Sequence, residues 1–129
     1  MLMHKPLPHE LYGDSLRLTQ VLINLVKNAL KFTTEGSVRI YAAYDSIERK
    51  LIVHVVDTGI GINKSEIPLL FNKFGKLLRT AHMNSNGIGL GLMISKALVE
   101  HNEGEINAFS EGINQGSVFI FSMLMDAIQ

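Results

Sequence analysis

The sequence predicts an α+β domain in which one layer of helices lies on a mixed or antiparallel sheet. The order of its segments carries that reading: a helix, two strands, a loop, a second helix and two more strands. Such an order segregates helices to one face of a sheet. Composition agrees, since apolar residues make up 47% of the chain, enough for a core and too many for a disordered segment. At 129 residues the chain is one domain's worth, able to bury roughly two thirds of the surface its unfolded form exposes.

The elements follow in order. Pro6 and Pro8 keep the first ten residues extended. Asp14 or Ser15 can cap a helix that runs to about Phe32, and "TTEGS" ends it. "SVRIYAAY" and "KLIVHVVD" read as two strands joined by the polar "DSIERK". "TGIGIN" is a glycine turn. "KSEIPLL" is a short helix at most, because Pro68 limits it. Residues 72 to 88 have weak periodicity and contain the loop-like "NSNG". A second helix covers about Gly89 to His101. "GEINAFS" and "GSVFIFSML" are two further strands around the turn "EGINQG". No repeat and no low-complexity segment interrupts this order.

Several function classes are disfavoured at once. Twelve basic and twelve acidic side chains cancel, so nothing favours a nucleic-acid or anionic-membrane partner. The absence of cysteine removes disulfides and thiolate chemistry and is compatible with a reducing compartment. No apolar run approaches the ~20 residues a bilayer span requires. "MLMHKPLPHE" lacks the apolar segment of a signal peptide. The abrupt start leads to the expectation of a piece cut from something larger.

Four stretches depart from what a simple core requires. In "RLTQVLINLVKNALKF", Arg17, Gln20, Asn24, Asn28 and Lys31 project onto one stripe within about 40° of Asn24. Leu18, Val21, Leu22, Leu25, Val26, Ala29 and Phe32 fill a wider arc. A polar stripe is ordinarily a solvent face. Asn, however, is a poor mid-helix residue because its amide competes for backbone bonds. Two Asn four apart, beside a lysine and with no acid among the five, also fit an anionic or metal-bound object. In "VVDTGIGI" an apolar strand ends on Asp57 and turns through Gly59 and Gly61. That is either an Asp-initiated turn or a carboxylate facing a pocket where glycine admits a flat ligand. In "LLFNKFGKLLRT", Phe71 and Phe74 anchor the root of the following loop. In "GIGLGL", Gly87, Gly89 and Gly91 stand before or within the first turn of the second helix. Free N–H groups and partial positive charge collect there, and glycine keeps side chains out of an anion's way. The stretch lacks the Gly-Lys-Ser/Thr ending of a Walker loop and the spacing of a dinucleotide fingerprint.

Taken in this order, the four stretches resemble the nucleotide-binding domain of sensor histidine kinases. That family belongs to the wider group shared with gyrase, the 90-kDa heat-shock chaperones and the mismatch-repair ATPases. "QVLINLVKNALKFT" is similar to its N box, "DTGIGI" to its first glycine box, "LFNKFGKL" to its F box and "NGIGLGLMISK" to its second glycine box. "QGSVFIF" is similar to the last glycine-Ser/Thr box before the final strand. The likeness covers about Leu11 to Met123. It implies a two-layer α+β sandwich of Bergerat type: a mixed sheet of about five strands covered on one face by about three helices, with ATP held between helices under a mobile lid.

The resemblance also implies roles. Asn28 matches the magnesium-binding Asn, whose amide oxygen suits a hard cation bridging phosphates. Asn24 matches the position one turn earlier near the same phosphates, and Lys31 a basic residue on phosphate. Asp57 matches the acid that accepts a hydrogen bond from the adenine amino group, with Gly59 and Gly61 beside the base. Phe74 and Ser117 are carried over to the nucleotide site from the F box and the last box. Gly87, Gly89 and Gly91 match the glycines whose amides approach the phosphates, and residues 72 to 86 match the ATP lid. Catalysis would then rest on positioning and charge neutralisation, with ATP and Mg2+ bound and the γ-phosphoryl group passed to a histidine elsewhere.

None of the five histidines supplies that acceptor. His4 and His9 lie in a proline-rich stretch, His54 alternates within a strand, His82 sits in the lid region and His101 closes a helix. The resemblance therefore implies that residues 1–129 form a single cytoplasmic catalytic domain without its dimerisation and acceptor helices. The implied partners are the histidine-bearing dimerisation domain of a homodimeric parent and a downstream response regulator. Two alternatives stay open: an ATP-driven clamp of the gyrase or chaperone class, and a serine-directed protein kinase of the same superfamily. Against the clamp, those relatives carry Glu at the position of Asn24, and an amide cannot take a proton from water near neutral pH. One departure is Glu103, where the family often has a second glycine; it affects a turn before a strand.

Overall fold

The computed structural model describes residues 7–72 and 88–128. Helix α1 spans Ser15–Lys31. Asp14 is its N-cap, accepting the Arg17 N–H at 3.1 Å, which satisfies one of the donors a helix start leaves open. Val21, Leu25, Ala29 and Phe32 are buried because their spacing puts them on one face. The chain then forms β2 (Val38–Asp45) and β3 (Lys50–Asp57), preceded by the short β1 (Glu10–Tyr12). The hairpin is tied by Asp45, whose Oδ1 accepts the N–H groups of Ile47 at 2.9 Å and Glu48 at 3.1 Å. As expected for a segment limited by Pro68, Lys64–Leu69 forms only a 3-10 helix.

Helix α2 spans Ile88–His101 and is followed by β4 (Ile106–Phe109), β5 (Ser117–Leu124) and β6 (Asp126–Ile128). The end of α2 explains the departure at Glu103. The Gly104 N–H reaches Val99 O at 2.9 Å and the Glu103 N–H reaches Glu100 O at 3.1 Å, the two bonds of a Schellman stop. Glu103 occupies its left-handed position with φ 59, which favours glycine over a residue with a Cβ.

The main sheet has the order β2-β3-β5-β4 and is antiparallel at every pairing among the described residues. Strands β1 and β6 pair separately as an antiparallel ribbon. The expected sheet of about five strands is thus a four-stranded antiparallel sheet plus a two-stranded ribbon. With α1, the 3-10 segment and α2, the layer of about three helices is as expected.

Strands β3 and β5 are central and alternate strictly. Leu51, Val53, Val55 and Asp57 are buried on β3, and Ser117, Phe119, Phe121 and Met123 on β5. Their apolar members form one core with Val21 and Leu25 of α1 and Leu92 and Val99 of α2. Each such side chain contributes about 1.5–3 kcal/mol relative to exposure. Phe71, at the end of the described stretch before residue 73, packs edge-on against Phe119 with ring centroids 6.2 Å apart, as expected of a loop-root anchor. The alternation has one consequence for chemistry. The last helix-side position of β3 is a carboxylate, and the residue opposite it in register is Ser117.

Candidate functional site

Asp57 is 4% exposed. The Ser117 hydroxyl donates to its Oδ2 at 2.6 Å and the Gly59 N–H donates to its Oδ1 at 2.9 Å. A carboxylate offers about four lone-pair sites, so each oxygen keeps capacity for another donor. The segment after Asp57 is fixed by backbone on both sides. The Ile60 N–H donates to Phe32 O at 2.9 Å, joining it to the end of α1. The Asn114 N–H donates to Ile60 O at 2.7 Å and the Gly116 N–H to Gly59 O at 3.2 Å, joining it to the turn before β5. Ser110 Oγ clamps that turn, donating to Gly116 O at 2.7 Å and accepting the Ile62 N–H at 3.0 Å.

This zipper gives the first pair of sequence-singled glycines a reason the sequence does not reveal. A Cβ on Gly59 would lie 2.1 Å from Phe32 O, and one on Gly61, which has φ +71, would lie 2.1 Å from Gly112 O. Main-chain packing alone demands glycine at both.

The polar stripe on α1 is not uniform. Arg17 and Gln20 are exposed, and among the described residues the Arg17 side chain reaches only its capping Asp14, at 3.9 Å. That half is a solvent face. Asn24 is half-buried, and its Nδ2 donates to Ser95 Oγ on α2 at 3.3 Å. Asn28 is 1% exposed, and neither its Oδ1 nor its Nδ2 has a hydrogen-bond partner among the described residues. Such an orphaned amide costs about 1–3 kcal/mol per unmade group and stands out among buried polar groups, nearly all of which are paired. Lys31, in the last turn, is half-buried and forms no ion pair among the described residues.

Helix α2 faces this stripe. A Cβ on Gly91 would stand 3.7 Å from Asn24 Cγ and 3.9 Å from its Nδ2 and Oδ1, ordinary contact distances. Packing among the described residues therefore leaves room for a side chain at Gly91, unlike Gly59. Gly89 lies in the first turn of α2. Phe74, Gly87, His82 and nearly all of the expected lid lie outside the described residues.

The two halves are linked through the end of α1. The Asn28 carbonyl accepts the Phe32 N–H at 3.2 Å, and the Phe32 carbonyl accepts the Ile60 N–H at 2.9 Å. The orphaned amide thus sits one helical turn, about 6 Å of rise, before the point where α1 meets the Asp57 loop. Sequence reasoning missed Ser95 and Ser110. The only signal for Ser95 was a polar residue one turn after Gly91, on the helix side shared with Leu92 and Val99.

A family model described as "Histidine kinase-, DNA gyrase B-, and HSP90-like ATPase" matches residues 13–127. The chain belongs to this family. Its relatives include the sensor histidine kinase GacS of Pseudomonas protegens, 39% identical over 127 residues, and the sensor protein GacS of Pseudomonas syringae pv. syringae, 41% identical over 125 residues. Each alignment takes in 95% of this chain and 14% of the relative, so the chain spans about a seventh of the curated relatives it matches. Among solved structures, full-length ShkA in complex with AMPPNP superposes with a TM-score of 0.79 at 30% identity, over 96% of this chain and 24% of that one. A nucleotide-free catalytic domain of histidine kinase ThkA superposes with a TM-score of 0.66 at 31% identity, over 86% of this chain and 69% of that one. Within the family, this ATP-binding domain groups with the catalytic domains of histidine kinases.

Proposed function

We propose that this domain binds ATP with magnesium and presents the γ-phosphoryl group to a histidine on a separate dimerisation domain in two-component signalling. The observation that carries the reading is the Asn28 side chain: buried, and unpaired at both polar atoms. Buried polar groups are nearly always paired, and a bound ion is one partner that would complete this one.

The residues fit a nucleotide-borne cation. Among the described residues no three His, Cys, Asp or Glu gather as a ligand set. Magnesium on a polyphosphate keeps phosphate oxygens and waters and asks the protein for few ligands; Asn28 Oδ1 is an unused oxygen of the right kind. When bound, the ion neutralises charge on the transferring group. Lys31 adds a point charge to the same end of α1, and Gly91 keeps side-chain bulk off the α2 face beside Asn24. At the other end, Asp57 is aligned by Ser117 and Gly59, with lone pairs left to accept an exocyclic amine and thereby select adenine. These groups position and neutralise, which is most of what phosphoryl transfer needs from a protein.

The names of the relatives favour histidine as acceptor over the clamp reading, and so does Asn24, whose carboxamide is no proton acceptor near neutral pH. Partners follow from the same reading: a histidine-bearing dimerisation domain in a homodimeric parent and a response regulator downstream, in the cytoplasm. No helix among the described residues is long and apolar enough to cross a membrane. To test the proposal, this chain is mixed with a separate histidine-bearing helical domain and γ-labelled ATP. Acid-labile label on that domain is the expected result. Release of free phosphate alone overturns it in favour of a clamp, and acid-stable label in favour of a serine kinase.

A further inference from the structure

We infer that Ser95 is a positioning residue for phosphoryl transfer: its buried hydroxyl holds the Asn24 carboxamide in place between the two helices, in an arrangement that leaves the carbonyl oxygen unbonded. The inference rests on the phosphate site proposed above. Ser95 is 0% exposed, so water does not compete for its hydroxyl. Its Oγ accepts the Asn24 Nδ2 at 3.3 Å, across a sequence separation of 71 residues and between the two helices that would flank the phosphates. Gly91, one turn earlier on α2, lies against the same carboxamide. Asn24 is therefore seated on a face made by Gly91 and Ser95.

A carboxamide has a donor end and an acceptor end of nearly equal size. Unrestrained, Asn24 presents either one. The NH2 end would favour a phosphate oxygen in the ground state, whereas the oxygen end accepts from a donor or a cation. In the arrangement seen, Nδ2 lies on Ser95 and the oxygen end is left unbonded. Asn24 Oδ1 accepts no hydrogen bond among the described residues, so it remains available. The neighbouring Asn28 has no such tether at either end. Of the two amides, Asn24 has its orientation set by the protein and Asn28 leaves it to be set by the ligand. Fixing an oriented dipole before the reaction avoids reorganising it during the reaction, so the loss on removing the tether should fall on the transfer step more than on binding.

The test uses Ser95→Ala, Ser95→Val and Ser95→Thr in this chain, with γ-labelled ATP, magnesium and the separate histidine-bearing domain. Nucleotide affinity is measured alongside by titration calorimetry. The expected result for Ala and Val is a fall in transfer kcat of about tenfold, the effect of one lost oriented hydrogen bond, with ATP affinity within about threefold of the parent. Thr, which keeps the hydroxyl, should restore most of the rate. In an Asn24→Ala background, Ser95→Ala should have no further effect, because the group it positions is gone. Ala and Val variants that transfer at the parental rate overturn the inference, as does a Ser95→Ala loss that persists undiminished without Asn24. If Asn24→Ala itself transfers normally, the phosphate-site reading has failed, a result distinct from failure of the Ser95 tether alone.

Discussion

The two ends of the site solve opposite problems. Around Asp57 the protein satisfies itself: both carboxylate oxygens are bonded within the chain, and Gly59 and Gly61 are required by carbonyls that press on them. Between α1 and α2 it does not. Asn28 is buried with both polar atoms idle, and Gly91 has space that its own packing does not use. The difference teaches where folding ends and binding begins. The Asp57 end is built as structure, and the proposed function adds recognition to it. The Asn28 end has no completing partner among the described residues, and under the proposed function the ligand supplies one.

Substitutions separate the two ends, and the largest effect belongs to the self-satisfied one. Gly59→Val should lower stability by more than about 3 kcal/mol, since its Cβ meets Phe32 O in a region with no slack; chemical denaturation would register this as a loss of most of the folded population. Asp57→Ala comes next. It leaves the Ser117 hydroxyl and the Gly59 N–H without their acceptor, costing about 2–3 kcal/mol, and should also remove preference for adenine over guanine nucleotides in competition titrations. At the other end, Gly91→Ala should leave stability within about 1 kcal/mol, or raise it, because alanine favours a helix interior. Its triphosphate affinity should fall about tenfold or more while adenosine affinity is kept. A Gly91→Ala variant that unfolds, or a Gly59→Val variant that stays folded, would erase the distinction between the ends. The smallest effect lies outside both. Glu103→Gly should raise stability by about 0.5–1 kcal/mol by relieving a left-handed residue at the α2 stop, with no change in nucleotide binding.

Much of the fold was legible because its signals are local and periodic. The Asp14 cap and the apolar spacing of α1 set that helix almost to the residue, and Pro68 set the limit of the short segment after β3. Strands β1 and β6 escaped notice because they are three residues long and mostly exposed, which leaves no alternation to read. For the site, sequence spacing placed Arg17, Gln20, Asn24, Asn28 and Lys31 on one face but carried no depth. The structure shows exposure falling from Arg17 to Asn28, so one stripe is solvent face at one end and buried candidate site at the other. The glycines show the same limit. A string of letters does not distinguish Gly59, held by a carbonyl at its back, from Gly91, where a Cβ would meet Asn24 only at ordinary contact distance. Ser95 was invisible for the reason that makes it useful: its partner is 71 residues away.

The most direct measurement is calorimetric titration of a non-hydrolysable ATP analogue, with and without magnesium, into the parent chain and into Asn28→Ala, with thermal melts of both proteins run alone. The account predicts saturable, magnesium-dependent binding to the parent, at least a hundredfold weaker binding to the variant, and a ligand-free variant no less stable than the parent, because the deletion removes an unpaired buried amide and its cost. Equal affinities for the two proteins, or a variant that melts far below the parent without nucleotide, would contradict it.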